Sequence, residues 1–317
     1  MFRFNIGFWG LVISGTLLLG VATVLAFFGG TWWRFDLLAN FRLQYLFCLL
    51  LALVVLLVGK KWPWAGVAGV FALVNFADIL PAFVGRGGQV ASSSKPLTIL
   101  LANVLTSNKE YERVRQLVRS KDPDIFAVLE ASETWMNELS SLKEKYPHAV
   151  SRPREDNFGI ALFSRIPFEE SEIVEIGEAG LPTAIARIHF GDTPLTVIAT
   201  HPLPPTRRST ARHRNRQLGE LADYVRSVRG PVLVIGDLNT TPYSPHFKKL
   251  LRESGLRDSR RGRGIQPTWQ AQLPWFLRIP LDHVLHSSEI TVLRRRLGPN
   301  IGSDHLPVIV EFSLPPR

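Results

Sequence analysis

Two hydrophobic patterns divide the chain. Up to position 84 the apolar residues run on without any period: positions 6–28 hold 23 residues free of charge, 43–59 hold another 17, and 65–84 form a third run interrupted late by Asn75, Asp78 and Pro81. A helix needs about 20 consecutive apolar residues to cross a bilayer. The first run therefore predicts a spanning helix, since the apolar core of a cleaved leader is shorter. Lys60 and Lys61 close the second run and Trp62 and Trp64 follow at once, the charges and aromatics expected where a helix leaves the membrane. With the third run, residues 1–84 make an all-α transmembrane region of two to three helices, over about 6–28, 43–59 and 65–84.

Beyond a polar Gly/Ser stretch at 85–95, read as a flexible linker, the rhythm changes to short apolar runs alternating with helical periodicity. A strand over 97–101 leads to Asn103. Ser107 and Glu110 have the spacing of a capping box, ahead of a helix whose Tyr111, Val114, Leu117 and Val118 share a face. Residues 124–129 read as the next buried strand, closed by Glu130, so the unit is β-α-β. A helix is predicted over 133–145 and strands over 159–164, 183–190 and 195–200, the last running out at His201. A helix over 209–229 buries Leu218, Leu221 and Val225, and Arg208, Arg212 and Arg216 recur every four residues on a different face. The run Val232-Leu233-Val234-Ile235 then ends in Gly236-Asp237-Leu238-Asn239. Ser244-Pro245 caps a short helix, a basic loop occupies 260–263, and strands over 282–286, 290–295 and 308–313 complete a domain spanning 96–317.

Composition sharpens this division. The chain is 46% hydrophobic with a formal charge of +10. Seven of the 37 basic residues and two of the 27 acidic ones precede position 96, which leaves 7 − 2 = +5 on the helices and 30 − 25 = +5 on the domain. That surplus favours anionic partners, nucleic acid or lipid surfaces alike. The single cysteine, Cys48, excludes an internal disulfide framework and a thiolate metal site. Nothing in the chain points to a protein partner. If the first two spans form a hairpin, the amino terminus with Arg3 shares the cytoplasmic side with Lys60 and Lys61, against the competing Arg34, Arg42, Arg86 and Lys95; with three spans the positive-inside rule then places the domain outside the cytoplasm.

The chemistry gathers where strands stop. Asn103, Glu130, His201, Asp237, Asn239, Asp282, Asp304 and His305 all fall at or just past predicted strand ends, the edge at which open α/β sheets hold ligands. Buried carboxylates are costly unless they share a cation. An oxygen-rich set without thiolate suits Mg²⁺ or Mn²⁺ better than Zn²⁺. Other polar residues read as structural. His283 points to the opposite face from Asp282, while His213, His246 and His286 carry no motif and are expected at the surface. Trp269 and Trp275 are expected to pack, and the Arg208 stripe reads first as a solvated face; on a nucleic-acid substrate it and the arginines of 260–263 would track the phosphates.

The ordered set Asn103, Glu130, Gly236-Asp237-Leu238-Asn239 with Thr241-Pro242, Leu281-Asp282-His283-Val284 and Ser303-Asp304-His305 with Pro307 resembles the endonuclease/exonuclease/phosphatase (DNase I-like) superfamily, over about 97–313. Its bacterial membrane-linked members share the 237–245 pattern. The resemblance implies a four-layer α/β sandwich with two mixed β-sheets, here preceded by the transmembrane region, and hydrolysis of a phosphoester with a divalent cation. It implies Glu130 as principal metal ligand with Asn103 and Asp304. Asp237 and Asn239 would orient water and phosphate, Asp282 would orient His305, and His201 would bind phosphate or protonate the leaving oxygen. A nuclease-type phosphodiesterase comes first among the activities, with Arg208, Arg212 and Arg216 on the substrate. A phospholipid, sphingomyelinase-like or headgroup phosphate hydrolase comes second, and a non-catalytic binding module last. The lipid bilayer is the expected partner of the helices, in a bacterial inner membrane.

Overall fold

The computed structural model describes residues 7–85 and 96–314. Residues 86–95, nearly all of the expected linker, lie outside them. Three long apolar helices come first: α1 (Phe8–Phe27), α3 (Arg42–Val58) and α4 (Trp62–Ile79), with a short helix α2 (Trp33–Ala39) between α1 and α3. Two of these segments, Phe8–Phe27 and Trp62–Ala82, are long and apolar enough to cross a membrane, and a third if α2 and α3, bent by 62°, count together. The polar residues that interrupt the third run are consumed between helices. Asn75 donates to Thr23 Oγ1 at 2.8 Å, Arg42 donates to Thr23 O at 3.0 Å and Asn75 Oδ1 at 3.2 Å, and Arg42 pairs with Asp78 at 3.1 Å. In a low-dielectric setting every such group needs a partner, which explains how Asn75 and Asp78 sit in a continuous helix.

The helices are ordered end to end. Trp9, near the start of α1, packs so tightly on Gly59 that a Cβ there would lie 1.9 Å from its ring, and Lys61 sits over the same indole. At the other end Ala26, Ala39, Leu43 and Ile79 cluster with Tyr243 of the following domain. The start of α1 and Lys60-Lys61 thus share one end, and the domain occupies the other.

That domain has two six-stranded mixed sheets face to face. The first holds β1 (Leu97–Asn103), β2 (Ile125–Leu129), β3 (His148–Arg152), β4 (Ile160–Ser164), β11 (Thr291–Leu297) and β12 (Val308–Ser313), in the order β11-β12-β1-β2-β4-β3. The second holds β5 (Phe168–Glu175), β6 (Pro182–Phe190), β7 (Thr193–Thr200), β8 (Val232–Asp237), β9 (Arg257–Asp258) and β10 (Asp282–His286), in the order β5-β6-β7-β8-β10-β9. Inward positions such as Ile99, Leu101, Ala127, Val197, Leu233 and Ile235 form the core between them. α5 (Tyr111–Lys121) and α6 (Glu133–Glu138) cover one outer face, α7 (Arg208–Ser227) and α8 (Pro245–Ser254) the other. This is the expected four-layer sandwich.

Several local expectations change. Ser107 does not cap α5: the helix begins after Glu110, whose amide is held by the Asn108 side chain at 3.0 Å. The helix expected over 133–145 ends at Glu138 and tightens into a 3₁₀ turn, Leu139–Leu142. β3 and β5 had no apolar alternation to announce them, since β5 is exposed along most of its length. His286 is buried beside Phe312, and His246 is half-buried against Asn215, neither being the surface residue expected. Of the 260–263 arginines, Arg260 and Arg263 are engaged with the protein and only Arg261 is exposed. Arg260 is buried against Asp258, and the loop is tied to the end of the third apolar segment by Gly262 N to Pro81 O (3.2 Å) and Gly264 N to Ala82 O (2.7 Å).

Candidate active site

Register places the chemistry. β1 and β2 run parallel with Asn103 opposite Leu129, so Glu130, the next residue, emerges beside Asn103. β8 and β10 pair antiparallel with Asp237 directly opposite Asp282. β7 lies parallel to β8 and delivers His201 one residue beyond its end. A Cβ on Gly236 would fall 1.9 Å from Thr200 O, so only glycine lets these two strands close around the site. Two site residues hold left-handed backbone, Glu130 at φ +60° and Asn239 at φ +48°. Asparagine tolerates that region, but glutamate seldom adopts it, and such strain concentrates at functional positions.

The side chains converge into one buried cluster. Asn103 Nδ2 donates to Glu130 Oε1 at 2.9 Å and lies 3.4 Å from Asp237 Oδ2. Asp237 Oδ1 accepts from the Asn239 amide at 2.9 Å, and its Oδ2 lies 3.5 Å from both His201 Nε2 and His305 Nε2. Asn239 Nδ2 donates to Pro202 O at 2.9 Å and lies 3.3 Å from His201 Nε2. Asp282 Oδ2 holds His305 Nδ1 at 2.8 Å, which fixes the ring and leaves Nε2 facing Asp237.

Charge distribution follows from these distances. Burial disfavours the ionised Asp237, yet the fields of His305 and His201 win and hold it at about 2. Burial also works against a charged His305, but Asp282 and Asp237 overcome it and lift the imidazole to about 10. His201 is raised in the same manner, against burial, by its contact with Asp237. Glu130 moves the other way: desolvation pushes its carboxyl up, and Asp237 adds to this.

Two arrangements could take a cation. Asp237, Asp282 and His305 bring ligand atoms within 4.8 Å of one another. There, however, His305 keeps its proton between two carboxylates, which makes the trio an acid–base couple. Glu130 and Asn103 with Asp237 fit better: two buried carboxylates meet around one neutral amide, an excess of negative charge that a hard cation would relieve. Asp304 adjoins His305 and adds to the field that raises its imidazole. Its Oδ2 accepts from Trp269 Nε1 at 3.0 Å, so its carboxylate is steered by an indole that the sequence reading assigned to packing.

The arginine stripe is placed elsewhere. Arg208, Arg212 and Arg216 line a separate cavity against the turn at Gly29 and Trp33. The residue missed was Arg214, on the opposite face of the same helix. It is buried, donates to Asn239 O at 2.7 Å and pairs with Asp36 of α2 at 2.5 Å. Thr106 was also missed; its hydroxyl donates to Glu130 O at 3.0 Å and steadies the strained residue. His283 is structural as expected, bonded to Thr240 O at 2.9 Å and packed on Phe247.

Comparison with known proteins agrees with this geometry. Residues 100–305 match the model of the Endonuclease/Exonuclease/phosphatase family. An inositol phosphosphingolipids phospholipase C of Saccharomyces cerevisiae is 26% identical over 169 residues, 44% of this chain and 34% of that protein, so the match spans about a third of the relative. D. rerio TDP2, solved with a single-strand DNA product, superposes with TM-score 0.59 at 18% identity over 69% of this chain and all of that one. An endonuclease/exonuclease/phosphatase from Bacteroides vulgatus gives 0.58 at 14% identity over 70% and 100%. At such identities the structures establish the fold.

Proposed function

Because the chain belongs to the endonuclease/exonuclease/phosphatase family and is thereby a phosphoester hydrolase, we propose that it is a membrane-anchored, divalent-metal-dependent phosphodiesterase working on lipid headgroup phosphodiesters at the bilayer surface. One observation carries the choice of substrate over nucleic acid. Trp275, Phe276 and Leu277 are 55, 41 and 45% exposed, and they stand on the loop that runs directly into Asp282. Phe47 of α3 lies against them, with ring centroids 5.9 Å from Trp275 and 6.1 Å from Phe276, and Gln44 ties the loop down through Phe276 O and Arg278 O. Exposed aromatics alongside an apolar helix suit a lipid surface, and the same loop reaches Asp304 through Trp269.

Glu130 and Asn103, with Asp237 alongside, would hold Mg²⁺ or Mn²⁺; when bound, the cation supplies charge neutralisation on the phosphate oxygens. Around it the protein positions. Asp237, unable to keep a proton at neutral pH, accepts hydrogen bonds from the attacking water and sets its line. Asn239 Nδ2 and the charged His305 address the non-bridging oxygens, where charge develops. His201, charged through Asp237, gives its proton to the departing oxygen as the phosphorus–oxygen bond breaks, and regains one from the phosphate product, which carries the protons of the attacking water.

The test uses the full chain in phospholipid nanodiscs with Mg²⁺ or Mn²⁺, offered lipid phosphodiesters, single-stranded DNA and bis-nitrophenyl phosphate. Chelator-sensitive release of headgroup products is expected. Trp275→Asp with Phe276→Asp should abolish lipid turnover and spare the soluble ester. Chelator-insensitive turnover would refute the metal, and DNA cleavage without lipid turnover would refute the substrate.

A further inference from the structure

We propose that the cavity between the 29–33 turn and helices α7 and α8 is a binding site for the phosphate of an anionic phospholipid headgroup, separate from the catalytic cluster. It has a volume of about 430 Å³, and none of Asn103, Glu130, His201, Asp237, Asn239, Asp282 or His305 lines it. That volume lies within the about 300–1,000 Å³ of ordinary small-ligand pockets.

Its charge is one-sided. Arg208, Arg212, Arg216 and Lys249 contribute to the wall, and no carboxylate does. Elsewhere on α7 the arginines are answered: Arg214 by Asp36, Arg226 by Asp223. Arg216 is met by Glu178 and Glu220 outside the cavity, and Lys249 has Glu253 only at 3.8 Å. Arg208 and Arg212, exposed and one turn apart, have no ion pair among the described residues. Like charges facing a concave wall focus a positive potential that an anion relieves, and adjacent guanidinium groups suit phosphate geometry.

The opposite wall gives the depth. α1 ends at Phe27, and the turn that follows brings Trp32 and Trp33 to the cavity, with Arg34 stacked on both rings at 5.3 and 5.4 Å. Tryptophan beside arginine just past an apolar span marks the headgroup level. Phe28 and Trp32, 53 and 42% exposed, continue the apolar surface of α1 toward that rim. A phosphate carried on acyl chains meets cations and apolar surface together here, whereas a free phosphate meets the cations alone.

The experiment reads binding and leaves turnover aside, so its failure is distinct from failure of the proposed activity. The full chain in neutral detergent is titrated with phosphatidylglycerol, phosphatidylcholine, or sn-glycerol 3-phosphate, following thermal midpoint and lipid retention by native mass spectrometry. Saturable retention of phosphatidylglycerol over phosphatidylcholine is expected, weakened at least tenfold in Arg208→Gln/Arg212→Gln. Arg226→Gln/Arg229→Gln, which removes equal charge from the far end of the helix region, should bind as the parent does. If the first double variant unfolds early without lipid, Lys249→Gln replaces it, with a severalfold loss expected. Equal binding of the two lipids, equal loss in the two double variants, or sn-glycerol 3-phosphate binding as tightly as the lipid would each overturn the proposal.

Discussion

Replacing Asp36 with alanine strands a guanidinium inside the protein. Arg214 is 1% exposed, and burial already pulls its guanidinium below the ordinary value while Asp36 resists. Of its polar contacts one goes to Asp36 at 2.5 Å and one to the Asn239 carbonyl at 2.7 Å. Removing one partner of a buried pair costs about 3–5 kcal/mol. The same substitution frees Ser244 Oγ, which donates to Asp36 Oδ1 at 2.5 Å while capping α8, so the upper end of that range is expected. For a unit of this size each kcal/mol moves the midpoint by about 2–4 °C, so a fall of roughly 10–20 °C follows. Asp36→Ala/Arg214→Met, which replaces the pair with apolar volume, should recover most of it. Because Arg214 also holds the carbonyl of Asn239, which the proposed mechanism places on the phosphate, turnover should fall in the single variant below its own unfolding range. The assay is thermal unfolding of the full chain in detergent at one fixed heating rate, followed by tryptophan fluorescence. A single variant within about 2 °C of the parent, or a double variant no better than the single, would refute the coupling.

Other outcomes follow from the same geometry. In Asp282→Asn the high affinity of His305 for its proton, about 10 in the parent, should drop, by about one to three units on loss of a contacting charge. A group raised in the fold contributes stability below its unfolded value of about 6.5 and loses it as pH rises through the folded one; the alkaline limb of both activity and stability should therefore move toward neutrality, and an unmoved limb counts against the pair. Asp237, held at about 2, is the opposite case: its contribution is present above about pH 4 and lost as pH falls toward 2, so the stability gap between parent and Asp237→Asn should close over that interval in acid titration. Asn239→Ala, deleting one donor to the phosphate, should cost about 10²–10³ in kcat and also lower the midpoint by a few degrees, because alanine tolerates the left-handed backbone poorly and the bond to Pro202 O is lost; kcat is therefore compared below the variant's unfolding range. Gly236→Ala, with its Cβ 1.9 Å from Thr200 O, should give no folded protein in expression and size-exclusion tests.

Most of the sandwich was legible because its strands obey burial. β1, β2, β4, β8 and β10 are buried on both faces and read as unbroken apolar runs. β5 escaped notice for the opposite reason: an exposed edge strand carrying Glu169, Glu170, Glu172 and Glu175 has little apolar signature. Strand-end residues were legible as chemistry because a polar side chain directly after a buried run has little structural reason to be there, and seven of them meet as expected. The partner of Asp304 shows where that logic stops, since the Asp304 carboxylate is oriented by Trp269, 35 residues away in sequence. Arg214 shows it again. Helical periodicity located three exposed arginines, but nothing local distinguishes a fourth, buried one whose partner is Asp36, 178 residues earlier.

The two acidic residues of the helical region bear on what that region is for. Asp36 and Asp78 are the only carboxylates before position 96. Asp36 takes Arg214 and Ser244; Asp78 takes Arg42 and Lys248 of α8. Asn40, between them, accepts from Thr241 at 3.0 Å, and Tyr243 is buried among Ala26, Ala39, Leu43 and Ile79. Apart from the pair of Asp78 with Arg42 inside the helical region, each of these contacts falls on the segment from Asn239 to Lys248, directly behind Asp237, or on Arg214, which holds the Asn239 carbonyl. A charge in an apolar segment is costly, and a region serving only to tether would have no use for it. Here that cost is offset across an interface that fixes the backbone of Asn239. The helices therefore form part of the wall that sets the loop at Asn239, and on the proposed membrane anchoring this packing would set the distance from the bilayer to the cluster.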